Sequence, residues 1–425
     1  MNQLSAQPYK GARDFYPEDM RIRNYIFDTW KRVAKKYGYE EYDFPIVEPF
    51  EIFASKSGEE LVNEQLFSFE DKGGRKLALR PEITPGTVRM IAQKFKELPR
   101  PIRWFMIGNN WRFEKPQTGR GREFYQLEVN IFGISDILAD FELFSLIIDL
   151  MKAFGADNSM FEIKVSDRRL ISALPSDLLK LSTELQIKVR RLMDKRLKME
   201  QAEFLSGLAD LGLSEEQAQT VEKFMSSSLE NLPNIIPQSI LQSNLGYTGI
   251  RALFELLQSA GLAKYCVFAP SIIRGFDYSD GLVYEVFDKN PQNRRSMFGG
   301  ERFDKLIQIF GNYELPATGF AMGDMPLLEF LTNWKLLPTQ TSSTEYLVTL
   351  WNNEPKYLNY SLKIAEKLRA EGKNVEVWLE NSKIDKQIKY ADKKGIANVV
   401  IAGEEELKNK TVTVKNLKTG KQETQ

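Results

Sequence analysis

Arg103–Gly133 reads RWFMIGNNWRFEKPQTGRGREFYQLEVNIFG, and the rest of the chain is organised around it. The stretch predicts a strand at Trp104 to Ile107, a basic polar loop, and a second strand at Phe124 to Phe132, together a long-looped β-hairpin. The loop sets Arg112, Lys115, Arg120 and Arg122 against Glu114 and Glu123, and Gly119 and Gly121 let a ligand approach the backbone. Guanidinium forks pair with phosphate oxygens in two-toothed fashion, and Phe124 offers a flat ring on which a base can stack. A basic loop is often no more than a solvated hairpin. Here, however, Arg112 and Glu114 alternate in phase with Trp111 and Phe113, which predicts both charges on one strand face. Such a face inside an apolar segment is costly unless it forms a site.

The 425 residues are too many for one hydrophobic core and predict two or three domains. Lys+Arg and Asp+Glu are equal at 58 each, so a nucleic-acid partner has to be held by local patches. The single cysteine, Cys266, excludes an intrachain disulfide, and its apolar setting, YCVFA, predicts a structural thiol and not a nucleophile. No signal segment opens the chain and no apolar run has membrane-spanning length, so a cytoplasmic protein without a membrane partner is expected. The chain contains no histidine. A histidine base, a Ser-His triad and a histidine-ligated metal are thereby excluded, and chemistry falls to carboxylates, arginines and Mg2+.

Apolar side chains at helical spacing predict a helix from about Met20 to Tyr37, stopped by Gly38. YEEYDFPIVEPF predicts a short edge strand interrupted by Pro45 and Pro49, a candidate dimer contact. A hairpin around Lys72 to Gly74 leads to Glu82 and to a helix expected to take Thr84 as N-cap with Pro85 in its first turn. A carboxylate at that junction suits an ammonium group, although it also serves as an ordinary helix-start charge. Ile137 to Phe154 predicts an apolar helix behind the sheet, and FEIKVSD a strand. From about Arg168 to Leu262 the pattern is helical, with a basic run at Lys188, Arg190, Arg191, Lys195, Arg196 and Lys198 that suits a phosphate backbone or a solvated face. IIRGFDYSDGLVYEVFD predicts a hairpin turning at Ser279 to Gly281. FGGERFD and the Gly-punctuated Thr318 to Met322 predict further strands, where small residues let a flat ligand lie against the backbone. After a Thr/Ser/Pro-rich linker, strand and helix alternate in a small α/β domain with a mainly parallel sheet.

YKGARDFYPEDM, YDFPIVEP, WRFEKPQTGRGREFYQ, RGFDYSDG and FGGERFD, in this order, resemble the motifs of class II aminoacyl-tRNA synthetases, most closely the histidyl-tRNA synthetase family, over nearly the entire chain. The resemblance implies an α+β fold: a six-stranded antiparallel sheet flanked by helices, an inserted helical domain and a C-terminal α/β anticodon-binding-type domain. It divides the chain into catalytic core at 1–165 and 263–335, helical insertion at 166–262, linker at 336–344 and anticodon-binding domain at 345–425. It implies a homodimer that uses ATP and Mg2+ to form histidyl-adenylate from L-histidine and then charges tRNA(His). By the same resemblance Arg112 and Arg274 are catalytic, over the α-phosphate. Arg112, Glu114, Arg120, Arg122 and Phe124 are implied for ATP. Glu82, Thr84, Gln126, Asn130, Arg274, Asp277, Tyr278 and Ser279 are implied for the amino acid, and Gln117 and Arg120 for the tRNA acceptor end.

Four positions depart from the family pattern. Asn130 stands where a carboxylate grips the imidazole, Ser279 and Phe303 stand where tyrosines are usual, and Pro326 stands where the third motif has its γ-phosphate arginine. Three readings follow: a histidine-tRNA ligase, a synthetase-like paralogue acting as a regulatory or amino-acid/RNA-binding subunit, and a non-catalytic RNA-binding protein.

Overall fold

The computed structural model describes residues 4–54, 61–117, 119–196, 199–273, 278–293, 295–339 and 342–424. They divide into one unit of Met1–Asp14 with Arg23–Leu337 and a second of Phe15–Ile22 with Pro338–Gln425.

In the first unit the strands are β1 (Glu40–Glu41), β2 (Val47–Pro49), β3 (Ser68–Glu70), β4 (Lys76–Leu79), β5 (Ile102–Trp111), β6 (Glu123–Phe132), β7 (Phe161–Asp167), β8 (Cys266–Phe268), β9 (Leu282–Asp288), β10 (Ser296–Arg302) and β11 (Ala317–Gly323). Eight of them form one sheet in the order β1-β5-β6-β11-β10-β9-β7-β8. The six from β5 to β7 are antiparallel throughout, and β1 and β8 add parallel edges.

Alternation along β6 explains the two faces of this sheet. Leu127, Val129 and Ile131 are fully buried, while Phe124, Gln126, Glu128 and Asn130 face a cavity. The apolar helix Leu138–Ala153 buries Leu143, Phe144 and Ile147, and Phe144 packs 4.6 Å from the Tyr284 ring. Trp30, from the helix Pro17–Lys36, is fully buried and donates its indole N–H to Met322 Sδ at 3.1 Å. Between β10 and that core lies a buried ion pair. Arg302 donates to Asp140 at 2.6 and 2.8 Å and to the carbonyls of Ile134 and Asp136, while the Thr318 hydroxyl holds the other Asp140 oxygen at 2.8 Å.

Several local expectations are corrected. YEEYDFPIVEPF is not one strand: β1 borders the large sheet and β2 joins β4 and β3 in a three-stranded sheet, with Pro45 between them. β5 runs four residues past Ile107, because Asn109 and Asn110 bond across to Glu123 and Gln126 at 3.2 and 2.7 Å. Regular pairing ends at Trp111, so Arg112 and Glu114 do not share a strand face; the Glu114 N–H turns back to the Arg112 carbonyl at 2.7 Å. Ser279 to Gly281 is not a hairpin turn among the described residues, since β9 takes β7 and β10 as its antiparallel partners. The N-cap of helix Thr84–Gln93 is Ile83, and Thr84 is its first residue.

Between β7 and β8 the chain is helical, including Thr183–Lys195, Gln201–Asp210, Glu215–Met225 and Leu245–Ser259. Lys188, Arg190, Arg191 and Lys195 of the predicted basic run lie on the helix Thr183–Lys195, with Arg196 at its C-cap, and much of their donor capacity is taken up. Lys188 pairs with Glu184 and Arg196 with Glu222, while Arg190 donates to the Ser172 hydroxyl; Lys198 lies outside the described residues.

The second unit carries β12 (Tyr346–Val348), β13 (Val375–Val377), β14 (Asn398–Ile401), β15 (Thr413–Asn416) and β16 (Gln422–Thr424), in the order β13-β12-β14-β15-β16. Three strands are parallel, but β15 and β16 pair antiparallel, so the sheet is less parallel than expected. Parallel pairing needs a crossover, here the helices Pro355–Ala370 and Ile384–Lys394, and Gly395 at φ +73° ends the latter in the left-handed region. The short KTGK turn permits only an antiparallel return.

Candidate active site

A cavity of about 870 Å³ opens on the polar face of the large sheet. At one end Arg112 and Phe124 stand together, the guanidinium carbon 5.2 Å from the ring centre. Arg112 donates to the Pro81 carbonyl at 2.9 Å and lies 3.9 Å from Glu114, which also meets Arg120 at 3.6 Å. Glu114 thus spaces two arginines around the cavity mouth, with Gly119 and Gly121 beside them. This is a cationic rim next to an aromatic ring, as a nucleotide requires.

At the other end Thr84, Gln126, Glu128, Asn130 and Tyr278 line a buried, acidic region. Tyr278 donates to Glu82 at 2.8 Å, and both are buried. Burial and the neighbouring Glu82 carboxylate hold the Tyr278 phenol well above its ordinary range, so it acts as a donor. Asn130 donates to Glu128 Oε1 at 2.8 Å. Burial raises Glu128 from 4.5 to about 8; the Asn130 bond opposes the rise, Glu82 adds to it, and the Thr84 hydroxyl and Arg80 also oppose it. Thr84 lines the cavity from the first residue of its helix, with no side-chain cap bond at that helix start.

Between the two ends the floor is nearly bare backbone. Gly319, Ala321 and Gly323 of β11 lie opposite Asn130, Glu128 and Gln126. A Cβ on Gly319 would lie 1.8 Å from Asn130 Oδ1 and 2.7 Å from the Val129 carbonyl, so only glycine fits.

Of the residues expected at the site, Arg112, Glu114, Arg120, Phe124, Thr84, Gln126, Asn130 and Tyr278 line this one cavity. Arg274 and Asp277 lie outside the described residues. Arg122 is not at the cavity: its guanidinium stacks 3.9 Å from the Phe113 ring centre and bonds the Tyr9 hydroxyl, anchoring the N-terminal segment. Gln117 is exposed outside the lining and accepts from Arg295 at 3.4 Å. Glu82 stands behind Tyr278, and Ser279 is buried with its hydroxyl on Glu301. Phe303 lines the cavity edge-on to Phe132 and Tyr278, with ring centres 6.0 and 6.1 Å away.

Four lining carboxylates escaped the sequence reading: Glu128, Glu285, Glu301 and Asp324, the last held by Arg13 at 2.7 Å and by the Tyr125 N–H at 2.9 Å. For Glu128 the signal was present, because it alternates with Gln126 and Asn130. Pro326 and Met325 line the cavity where the third-motif arginine would be, and Arg191 reaches it from the helical insert. Cys266 is half-buried on β8, and burial raises its thiol to about 12. No group of three or more Asp, Glu or Cys side chains among the described residues is arranged for a metal ion.

The family model for "Histidyl-tRNA synthetase" matches residues 11–326, and that for "Anticodon binding domain" matches residues 346–425. The chain is 42% identical over 415 residues to the "Histidine--tRNA ligase" of Leptospira biflexa, covering 97% of this chain and 94% of that one. It is 37% identical over 420 residues to the protein of the same name from Haloarcula marismortui, again covering 97% and 94%. The solved histidyl-tRNA synthetase from Nostoc sp. PCC 7120 shares the fold, with a TM-score of 0.85 at 23% identity over 100% of this chain and 97% of that one. With both its catalytic and its anticodon-binding regions matched, this chain belongs to the histidyl-tRNA synthetase family.

Proposed function

We propose that the protein joins L-histidine to tRNA(His) through a histidyl-adenylate, consuming ATP and releasing AMP and pyrophosphate. The observation that carries this reading is a single cavity with Arg112 and Phe124 at one end and Glu128, Asn130 and Tyr278 at the other. Adenine stacks on Phe124, and Arg112 neutralises the α-phosphate as charge builds there. Arg274 is proposed for the same phosphate and for the histidine carboxylate. Arg120 serves the phosphates or the tRNA acceptor end. Glu82, through Tyr278, with Thr84 and Gln126, places the α-ammonium so that the substrate carboxylate faces the α-phosphorus.

The histidine carboxylate oxygen then forms a bond to that phosphorus while the bond to pyrophosphate breaks. In the second step the terminal ribose hydroxyl of the tRNA attacks the acyl carbon and AMP leaves. No protein histidine is required for either step. Mg2+ would accompany the triphosphate and would offset phosphate charge as it shifts; no group of three or more acidic side chains among the described residues is arranged to hold it without the nucleotide. Residues 346–425 bind the anticodon region, the protein works as a homodimer, and its place is the cytoplasm. No described helix is long and apolar enough to cross a membrane.

Charging of a tRNA(His) transcript with labelled histidine tests the reading. It predicts histidyl-tRNA formation that depends on ATP and is lost in R112Q. Exchange-inactive protein that still shifts tRNA(His) in a gel would replace it with a binding role.

A further inference from the structure

The cavity face of β6 presents Phe124, Gln126, Glu128 and Asn130 at two-residue steps. From Phe124 to Glu128 the backbone advances roughly 13 Å, so successive side chains meet successive parts of an extended ligand. Across the sheet, the Glu128 row continues through Ala321, Gly299 and Glu285, and the Asn130 row through Gly319 and Glu301. Beside Glu128 the floor is therefore alanine and glycine, shaped for a flat ring.

Asn130 offers no charge, and it is already committed: its amide N–H₂ donates to Glu128 and its oxygen hangs over the Gly319 backbone. Glu128 has the opposite character. It is 2% exposed yet lines the cavity, and it forms no salt bridge with a described residue. Its described hydrogen-bond partner, Asn130, is a neutral donor, leaving acceptor capacity toward the ring-shaped floor. A buried carboxyl so placed needs a ligand group that both donates and accepts protons readily, and an imidazole is such a group.

We propose that Glu128, oriented by Asn130, is the side chain that reads the imidazole of the substrate. The carboxyl partner of the ring thus sits two residues earlier on β6 than position 130, on the same face. A side chain without a ring N–H leaves the Glu128 carboxyl unpaired and is rejected on that account. Glu301 and Glu285 are the competing carboxylates on these rows, but Glu301 holds the Ser279 hydroxyl and Glu285 stands three strands away from Glu128, beyond Ala321 and Gly299.

This inference rests on the ligase reading, and histidine-driven ATP–pyrophosphate exchange by the full chain separates the two. E128Q keeps the size of the side chain and an acceptor for Asn130. It is expected to raise the KM for histidine about tenfold or more while the KM for ATP changes by less than about twofold. E128D, which shortens the reach but keeps the carboxyl, is expected to fall between wild type and E128Q, and E301Q to raise the histidine KM by less than E128Q does. Calorimetric titration of histidine into E128Q without ATP reads the same loss independently of turnover. Exchange by the wild type with an unchanged histidine KM in E128Q overturns this inference alone, as does a larger effect in E301Q. A wild type that supports no exchange with histidine overturns the ligase reading and this inference with it.

Discussion

Replacing Arg302 by methionine removes one half of the buried pair that joins β10 to the helix behind the sheet. Asp140 is then left fully buried with only the Thr318 hydroxyl, at 2.8 Å, to compensate it. Burial already pushes the Asp140 carboxyl above its usual range, against the pull of Arg302. Breaking such a pair from one side costs about 3–5 kcal/mol, and D140L, which leaves the guanidinium only the partly exposed Asp304 at 3.6 Å and two carbonyls, is expected to cost up to about the same. Independent effects would sum to about 6–10 kcal/mol in the double variant. R302M/D140L, however, buries no charge and leaves chiefly the Thr318 hydroxyl and two carbonyls to find partners, a penalty of about 1–3 kcal/mol for the hydroxyl. Urea denaturation followed by circular dichroism and by exchange activity separates loss of the catalytic unit from loss of the C-terminal unit. R302M is expected to be less stable than the double variant. A double variant as unstable as the sum of the single ones would refute the assignment of a coupled pair.

Three other outcomes follow from the site. F124A is expected to raise the KM for ATP about tenfold with little change in the KM for histidine, since base stacking on an aromatic ring is worth about 1–3 kcal/mol; exchange kinetics read both. G319A puts a methyl where Asn130 Oδ1 and the Val129 carbonyl stand, so histidine binding by calorimetry should weaken even if the fold persists. The folded protein keeps the Glu128 proton up to about pH 8, whereas the ordinary value is 4.5. Its contribution is complete below about pH 4.5 and is lost as pH rises toward 8, by a few kcal/mol at most. Thermal melts of ligand-free E128Q should therefore show a smaller decline over that window than wild type.

What the sequence disclosed, and what it hid, follows from how local each interaction is. The period-two alternation of β6 and the apolar spacing of Leu138–Ala153 are local, so both elements were legible. The end of β5 was not: Asn109 and Asn110 look like loop residues until their amides are seen bonded to β6. β9 looked like half of a hairpin because its true partner, β7, is separated from it by the helical insert. At the site, Arg112 and Phe124 were singled out by their chemistry together with the family resemblance. Arg122 has the same chemistry but is taken by Phe113 and Tyr9, a competition decided by the fold of the N-terminal segment. Glu128 was hidden because its burial and its bond to Asn130 become visible only when the two side chains are placed on one face of the folded sheet.

ATP–pyrophosphate exchange with purified protein and each of the twenty amino acids in turn bears most directly on the proposal that one cavity joins a nucleotide end to an imidazole-reading end. Histidine alone should drive exchange. Equal exchange with a second amino acid, or none with any, would contradict it.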